Sequence, residues 1–485
     1  MPGMAKMEMA PELARVIPEM WLAGLVLVLF GMGPFLPARR KGWAWWLALG
    51  GLLGAFVPTL RMLTWQPQLG FDGAYAVDPL GVFFKLLLLA TTVVVLLASR
   101  DYFRGMPHEG DIPGLLVLLA GSMILLASSN DLVLIALFVQ LVSITSYVLV
   151  GVWKDEPLAN EASLKFFLFG SVSVTVMLYG MSLLFGATGT LNLQEMARRL
   201  PQADLSIVVL GLALTLAGYG FKISMAPFHV WVADTYQGAP TPVTALLSIG
   251  PKAAGLAVLL RTLAVAVPPD ETNWPAAVAA MAALTMTVGN VLALRQTNIK
   301  RLLAYSSIGQ AGFLLMGVAA AGRDELSVPA LLFYLVAYLA MNMGAFGVAT
   351  AVERGSGSVE LGGYDGLGSR APWLAGTLTL FLLSLAGMPP LAGFIGKTML
   401  FGAAMGAGFA WLAAVAAANS ALSLYYYLLP IARMYLQPPN GSMPFRTAPA
   451  LALAIGLSVA ATVLVGVLPE PVVSLARSGA RLFVG

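Results

Sequence analysis

The chain has 485 residues, of which 59% are hydrophobic and only 10% are charged, with a formal net charge of +4 at pH 7. Soluble domains carry about 25% charged residues, so this composition excludes a water-soluble enzyme and a disordered chain. It also excludes a nucleic-acid-binding protein, because so small a net charge cannot form a basic surface. The remaining class is an all-α, multi-pass membrane protein embedded in the lipid bilayer.

Hydrophobic stretches follow one another along the chain, each long enough for a helix of about 20 residues that crosses a bilayer. The first three predicted helices come from the stretches 17–36, 43–63 and 77–99. Three glutamates flank the first stretch and no cleavage site follows it, so we interpret it as a retained helix and not as a signal peptide. The remaining stretches bring the prediction to about fourteen transmembrane helices.

Two of the predicted helices contain helix-breaking prolines close to a lysine. The first covers about 205–235 and contains Lys222, and the second covers about 373–400 and contains Lys397. A proline inside a helix removes a backbone hydrogen bond and kinks or breaks the helix. Broken helices beside ionisable residues mark ion sites in transporters. Both places are therefore candidate sites of ion movement.

The spacing of the two breaks predicts an internal repeat. We expect two inverted five-helix repeats, one at residues 111–266 and one at 267–437. Helices 1 to 3 would precede them within residues 1–110, and a fourteenth helix would follow within residues 438–485.

Lysines inside the apolar helices are the main candidate functional residues. Five remain after the other basic residues have been assigned to membrane edges and tails: Lys85, Lys165, Lys222, Lys252 and Lys397. A charge at the bilayer centre costs at least about 2.5–3.5 kcal/mol, and burial favours the neutral form of a lysine, which can then take up and release a proton. All 23 acidic residues fall in loops or near helix ends, so we expect basic residues and essentially no acids inside.

Two of these lysines, and one histidine, have a simpler interpretation beside the functional one. Lys85 could extend its side chain to the membrane surface, and Lys165 could pair with Glu161 one turn earlier. His229 follows Lys222 by seven residues, two turns along the same face if the helix continues. It could pass protons between the repeats, because histidine titrates near neutral pH, or it could bind carbonyl groups freed at the break.

Basic residues are divided unequally between the two sets of loops. One set holds thirteen, Lys300 and Arg301 among them, and the other holds five. The richer set should face the cytoplasm. With an even number of crossings, both termini should then lie on the outer, periplasmic side of the bacterial inner membrane.

Three long motifs resemble the antiporter-like subunits of respiratory complex I. They are GFKISMAPFHVWVADTYQGAPTPVTALLSIGPKAA at 220–254, NIKRLLAYSSIGQAGF at 298–313 and MPPLAGFIGK at 388–397. The motifs stand in the family's order, and the resemblance covers roughly residues 75–435. Within the family, SIGQAG and the three tyrosines of SLYYYL are most similar to the N-type subunits of bacterial NADH:quinone oxidoreductase, related to subunit 2 of the cyanobacterial and plastid enzyme.

The resemblance implies a role for each candidate residue. Lys222 would match the central lysine of the first half-channel, Lys252 the lysine that links the halves, and Lys397 the lysine that exchanges protons with the outer side. Lys165 would match a further lysine on the hydrophilic axis. Gln140 stands where the family has a glutamate that partners the Lys222 equivalent, and glutamine retains hydrogen bonding without the charge.

The resemblance also implies a function: proton translocation by a membrane-arm subunit of NADH:quinone oxidoreductase. The chain has no cysteine and shows no nucleotide, flavin, iron or quinone motif. The implied NADH, FMN, iron–sulfur clusters and quinone would therefore belong to partner subunits, with the other membrane-arm subunits as this chain's partners. Lysine cannot coordinate a cation, which favours H⁺ over Na⁺.

Two alternatives remain open. The first is a subunit of a multisubunit sodium/proton antiporter or of a membrane-bound hydrogenase, since these share the fold. The second is a scaffold of the complex that does not pump, for which Gln140 is the main support.

Overall fold

The computed structural model describes residues 9–33, 37, 40–106, 108–267, 272–439 and 446–483, and most of these are helical. In chain order, the first helices are α1 (Met9–Ala14), α2 (Ile17–Met32), α3 (Gly42–Arg61), α4 (Pro79–Arg100), α5 (Ile112–Ser128), α6 (Leu132–Val150), α7 (Pro157–Thr188), α8 (Leu193–Arg199), α9 (Leu205–Ile223), α10 (Val232–Gly238) and α11 (Thr241–Arg261). The next are α12 (Trp274–Ala293), α13 (Ile299–Ala319), α14 (Ser327–Ser356), α15 (Leu367–Arg370), α16 (Pro372–Ala386), α17 (Ala392–Gly406), α18 (Ala410–Leu436), α19 (Pro449–Val467) and α20 (Glu470–Gly479). Parts of the predicted terminal regions, including residues 1–8 and 440–445, lie outside the described residues.

The helices confirm a multi-pass membrane fold. Among the described residues, 11 helices are long and apolar enough to cross a membrane, and α2, α5 and α16 are shorter apolar helices. The most hydrophobic stretch of α11 is wholly buried, and those of α13 and α14 are almost wholly so. These three helices form the centre of the bundle, while α3 and α7 present most of their side chains to the outside.

The connections between helices gather into two groups held together by hydrogen bonds. One group contains an antiparallel hairpin of β1 (Gln68–Gly70) and β2 (Tyr75–Val77), to which Ser129 is bridged through Tyr75. Residues 129–131 and 189–192 join it there, and we call this the hairpin side of the bundle. The other group pairs the turn before α13 with residues 359–361, and we call it the opposite side.

The two helices that the sequence predicts to break are both interrupted. The first stops at Ile223, where Ser224 takes a φ of +64°, and it resumes as α10 at Val232. The second stops at Ala386, where Gly387 takes a φ of +93°, and it resumes as α17. A left-handed residue ends an α-helix and leaves the last carbonyl groups without helical partners.

Close helix packing explains part of the high glycine content. A Cβ atom at Gly289 on α12 would lie 2.4 Å from the backbone nitrogen of Gly309 on α13. A Cβ atom at Gly312 would lie 2.5 Å from the nitrogen of Met286. Small residues let membrane helices approach backbone to backbone in this way.

Two elements are not predicted from the long apolar stretches of the sequence. The hairpin has strands of only three residues. After α19, the amphipathic helix α20 buries Val473, Ala476 and Gly479 against α4 and α14. The last predicted region, 438–485, therefore contains a second helix after the expected one.

Candidate functional site

Lys222 lies in the last turn of α9, directly before the break, and its side chain is buried. Its Nζ donates a hydrogen bond of 2.7 Å to Oγ of Ser143 on α6. Gln140 lies one turn before Ser143, and its buried Oε1 accepts no hydrogen bond from the described residues. The helix expected to supply the partner of Lys222 does supply it, but through the hydroxyl of Ser143.

Lys252 lies in the middle of α11 and is also buried. Its Nζ donates to the hydroxyl of Ser307 on α13 at 2.8 Å and to the carbonyl oxygen of the same residue at 3.1 Å. One turn later, a Cβ atom at Gly255 would lie 3.4 Å from the Lys222 side chain. The absence of a side chain at Gly255 thus lets α9 and α11 pack closely where they carry the two lysines.

Lys397 lies in the second turn of α17 and is buried beside the second break. Its Nζ donates to the carbonyl oxygens of Leu385 and Ala386, each at 3.0 Å, and to Oγ of Ser420 at 3.1 Å. The Phe313 ring centroid lies 4.7 Å from the same nitrogen. Because α16 ends at Ala386, the helix break itself supplies the acceptors for the ammonium group.

Two adjacent serines on α13 connect Lys252 to the second half of the protein. Ser307 binds the Lys252 ammonium, and the preceding residue, Ser306, forms a hydrogen bond of 2.5 Å with the hydroxyl of Tyr427 on α18. Both serines and the tyrosine are fully buried. The Ser307 hydroxyl itself donates to the carbonyl oxygen of Ala304, so the backbone of α13 links the two serines, and no hydrogen bond between their described hydroxyls does.

Gln310, one turn after Ser307 on the same helix, completes the connection. Its Nε2 donates to the Tyr427 hydroxyl at 3.1 Å and to the Leu385 carbonyl oxygen at 3.2 Å, the same oxygen that accepts from Lys397. Its Oε1 accepts a hydrogen bond from the Tyr334 hydroxyl. We call Ser307, Ser306, Tyr427, Gln310 and the Leu385 carbonyl the central chain. It is hydrogen-bonded from Ser306 to Lys397, and the backbone of α13 links Ser306 to Ser307, the partner of Lys252.

Lys165 lies outside the central chain. Its side chain is 39% exposed, and its Nζ pairs with Glu161 at 2.7 Å and with Asp234 at 2.8 Å. Asp234 also pairs with Arg301 at 2.8 Å. Lys165 thus belongs to an ion-pair network that extends to Arg301 in the first turn of α13. The network includes the pair with Glu161, one turn earlier in the sequence.

His229 lies in the turn between α9 and α10 and is half-buried. The helix does not continue from Lys222 to His229, because α9 ends at Ile223 and the backbone turns at Ser224, so the two residues do not share a helix face. Among the described residues, nothing forms a hydrogen bond with its Nδ1.

Lys300 is buried, although its sequence position indicates a loop at the membrane edge. Asn298 caps α13 by accepting hydrogen bonds from the backbone N–H groups of Lys300 and Arg301, so Lys300 belongs to the first turn. Its Nζ donates to the carbonyl oxygen of Ala239 at 2.6 Å. The ammonium group thereby connects the start of α13 to the end of α10.

The expectation of an interior without acids is wrong, because Glu19 and Asp78 are buried, with 5% and 7% exposure. Glu19 pairs with Lys85 at 2.8 Å, and Asp78 receives two hydrogen bonds from Arg261, at 2.6 and 3.0 Å. Both acids stand near helix starts, but the hairpin folds over these helix ends and buries them. Lys85 consequently points into the protein and not towards the surface.

A multi-pass helical membrane protein with buried lysines at two helix breaks is the class that this fold and site define. A family model described as "NADH:quinone oxidoreductase/Mrp antiporter, TM" matches residues 129–423. NADH-quinone oxidoreductase subunit N from Trichlorobacter lovleyi is 40% identical over 474 residues, which cover 96% of each chain. NAD(P)H-quinone oxidoreductase subunit 2 from Synechococcus sp. (strain JA-3-3Ab) is 40% identical over 443 residues, covering 88% of this chain and 84% of that one.

A solved structure gives the same result. A chain of respiratory complex I from Thermus thermophilus is 34% identical and superposes with a TM-score of 0.81, covering 95% of this chain and all of that one. The chain therefore belongs to the NADH:quinone oxidoreductase/Mrp antiporter family, in the group of subunit N and subunit 2. In the part of the chain that the structure describes, no group of three or more His, Asp or Glu side chains is placed to hold a metal ion.

Proposed function

We propose that this chain is a proton-translocating membrane-arm subunit of NADH:quinone oxidoreductase. The observation that supports this most strongly is the central chain, whose groups on α13, α16 and α18 lie between buried Lys252 and buried Lys397 and are hydrogen-bonded from Ser306 to Lys397. Buried basic residues in a membrane protein are costly, and they persist where a protein moves ions. The relatives named for NADH-quinone oxidoreductase support the coupling of this movement to electron transfer in partner subunits.

The groups of the central chain have different roles. Ser307 accepts from Lys252, and a change in this bond reaches Ser306 through the shared backbone of α13. The hydroxyls of Ser306 and Tyr427 can both donate and accept, so they can reverse their hydrogen bond in response. Gln310 and the Leu385 carbonyl hold Lys397 in a fixed relation to these hydroxyls. Loss of a proton at one lysine therefore changes the hydrogen bonding that reaches the other.

We assign Lys222 to proton delivery from the first half of the protein and Lys397 to exchange at the second break. His229 and Lys165 lie outside the central chain, where they would act at the entry from the opposite side. Gln140 would influence Lys222 through its position one turn from Ser143.

The proposed topology has fourteen crossings, with the interrupted pairs α9–α10 and α16–α17 counted as one crossing each. Two inverted repeats, at 111–266 and 267–437, would follow the N-terminal helices of 1–110 and precede the helix of 438–485. The loops richer in basic residues lie on the opposite side, which would be cytoplasmic. Both termini would then be periplasmic, in a bacterial inner membrane.

We assign the redox cofactors to partner subunits. The chain contains no cysteine to hold an iron–sulfur cluster. NADH, FMN, the clusters and quinone would be bound by the other subunits of the complex. This chain would contact the other membrane-arm subunits and lipid.

A Gln140→Glu variant should retain pumping and shift its pH dependence. A carboxylate one turn from Ser143 would stabilise the charged ammonium of Lys222, so the alkaline limb of the pumping profile should move to higher pH. Proton uptake into sealed vesicles at a series of pH values measures this. An unchanged pH profile would show that the residue at position 140 does not influence Lys222. Complete loss of pumping would contradict the expectation that a glutamate at position 140 is compatible with proton translocation.

The central chain itself is tested by Tyr427→Phe, which removes one hydroxyl and preserves the ring. We expect NADH-driven proton translocation to fall about fivefold, since a hydrogen bond contributes about 1 kcal/mol. Tyr425→Phe is the matched control, because its side chain is 63% exposed. Full translocation in the Tyr427→Phe enzyme would show that the central chain does not take part in proton translocation.

A further inference from the structure

Four buried charged groups lie on the hairpin side, away from the three relay lysines. They are Glu19 on α2, Asp78 at the start of α4, Lys85 on α4 and Arg261 at the end of α11. We call them the hairpin-side cluster. Their side chains are 1–6% exposed, and the first three precede residue 129, where the family match begins. Nothing in the shared motifs accounts for them.

The two ion pairs of the cluster differ in their ability to change protonation. Arg261 binds both oxygens of Asp78 and also the carbonyl of Ala127, and an arginine does not deprotonate in proteins. This pair is therefore fixed. Lysine and glutamate can both exchange protons, so the pair of Lys85 and Glu19 is not fixed by its chemistry.

The local geometry of Glu19 and Lys85 favours proton transfer between them. Lys85 Nζ lies 2.8 Å from Glu19 Oε1 and 2.8 Å from the hydroxyl of Tyr75. The same hydroxyl donates to Glu19 Oε1 at 2.5 Å. The second oxygen of Glu19, Oε2, is buried and has no hydrogen-bond partner in the described part of the chain. It is therefore available to take a proton.

Polar groups lead from the cluster towards the relay lysines. Tyr219 lies one turn before Lys222 on α9, and its hydroxyl is 3.1 Å from Oγ1 of Thr262. Thr262 follows Arg261 directly in the chain, and Arg261 binds Asp78, which starts the helix that carries Lys85. These contacts place the cluster beside the helix that carries Lys222. Because Arg261 keeps its proton, they bring the two regions close together and are not themselves the steps of a proton path.

The other end of the cluster approaches the membrane edge. Glu19 lies in the first turn of α2, just after Arg15, whose Nε donates to Gln68 of β1 at 3.2 Å. Glu12 accepts a hydrogen bond from the backbone of Phe71 at an exposed position of the hairpin. An exposed part of the hairpin therefore lies against Glu12, seven residues before Glu19 in the chain.

We propose that Glu19 and Lys85 form a proton-exchange pair that connects the relay to the hairpin side of the membrane. The Lys85 ammonium transfers one proton to Glu19, breaking an N–H bond and forming an O–H bond, which leaves a neutral amine and a carboxylic acid. The acid then releases this proton to water at the hairpin side. A proton arriving from the Lys222 region restores the ammonium, while the pair of Asp78 and Arg261 stays ionised. This inference rests on the proposed function.

Two variants separate this role from that of a structural clamp. The double variant Glu19→Gln/Lys85→Met removes both charges, so neither is left buried and unpaired. Lys85→Arg keeps the positive charge and the pair but holds its proton permanently. We expect both to assemble and to lower proton translocation per electron by about tenfold or more. If Glu19 and Lys85 only hold the helices together, both variants should translocate as many protons per electron as the unaltered enzyme.

The measurement is NADH-driven proton uptake in sealed vesicles that contain the whole enzyme. Glu195→Gln is the control, because it makes the same change to an acid of the hairpin side that pairs with exposed Arg199. If the double variant fails to assemble, Lys85→Arg alone decides: retained translocation overturns the inference, and lost translocation supports it.

A parallel Lys397→Met variant distinguishes failure of the proton-exchange pair from failure of the proposed function. If Lys397→Met retains full translocation, the proposed function itself fails. If Lys397→Met loses translocation and Glu19→Gln/Lys85→Met retains it, only the exchange pair is overturned.

Discussion

Replacing Lys252 with methionine should lower NADH-driven proton translocation by at least about tenfold, since a positioned acid–base group typically contributes that much or more. Methionine has a similar length and fills the same buried space, but it offers no ammonium to Ser307 on α13. The central chain would then lose the ammonium group at its first end, although the packing of α11 is preserved. Proton uptake in sealed vesicles, normalised to the amount of assembled enzyme, measures the effect.

Lys154→Met is the matched control for Lys252→Met. Lys154 is an exposed lysine at the start of the turn before α7, on the side opposite the hairpin. The same substitution there should leave translocation unchanged. Equal translocation by the Lys252→Met and Lys154→Met enzymes would contradict a role for the buried lysine.

Replacing Arg261 with methionine should destabilise the folded chain by about 3–5 kcal/mol, because the Asp78 carboxylate would remain buried without its paired cation. Arg261 donates one hydrogen bond to each oxygen of the Asp78 carboxylate. We expect little assembled protein in the membrane and a lower unfolding temperature in detergent. Western blotting of membranes and thermal unfolding of the purified complex measure the two effects.

A second change should restore the stability lost in the Arg261→Met variant. In Asp78→Asn/Arg261→Met, the uncompensated charge is gone, while asparagine can still cap α4 by accepting from the N–H of Gly81, as Asp78 does at 2.7 Å. A double variant as unstable as the single one would show that Arg261 acts through packing and not through its charge.

The sequence predicts the three buried lysines at the centre of the proposed function, because a lysine within a long apolar stretch is easy to recognise. Lys222, Lys252 and Lys397 are recognisable from composition alone, and the nearby prolines and glycines indicate where helices break. Their partners are not recognisable in this way. The hydroxyls of Ser306 and Tyr427 carry no charge, and only the packing of α13 against α18 brings them together.

The buried acids escape prediction for a different physical reason. Glu19 and Asp78 lie near helix starts, where acids are usually exposed and stabilise the helix dipole. The hairpin, with its three-residue strands, folds over these positions and pairs the acids with Lys85 and Arg261 from distant parts of the sequence. Local patterns cannot indicate burial that depends on such long-range contacts.

The number of protons translocated per electron tests the central claim most directly. It should be measured for Lys252→Met, for Lys397→Met and for the double variant Lys252→Met/Lys397→Met, in vesicles prepared in the same way. If the two lysines act in series through the central chain, each single variant loses the same share of translocation and the double variant loses no more. An unchanged ratio in both single variants, or a double variant that loses the sum of the two, would contradict a single chain between Lys252 and Lys397.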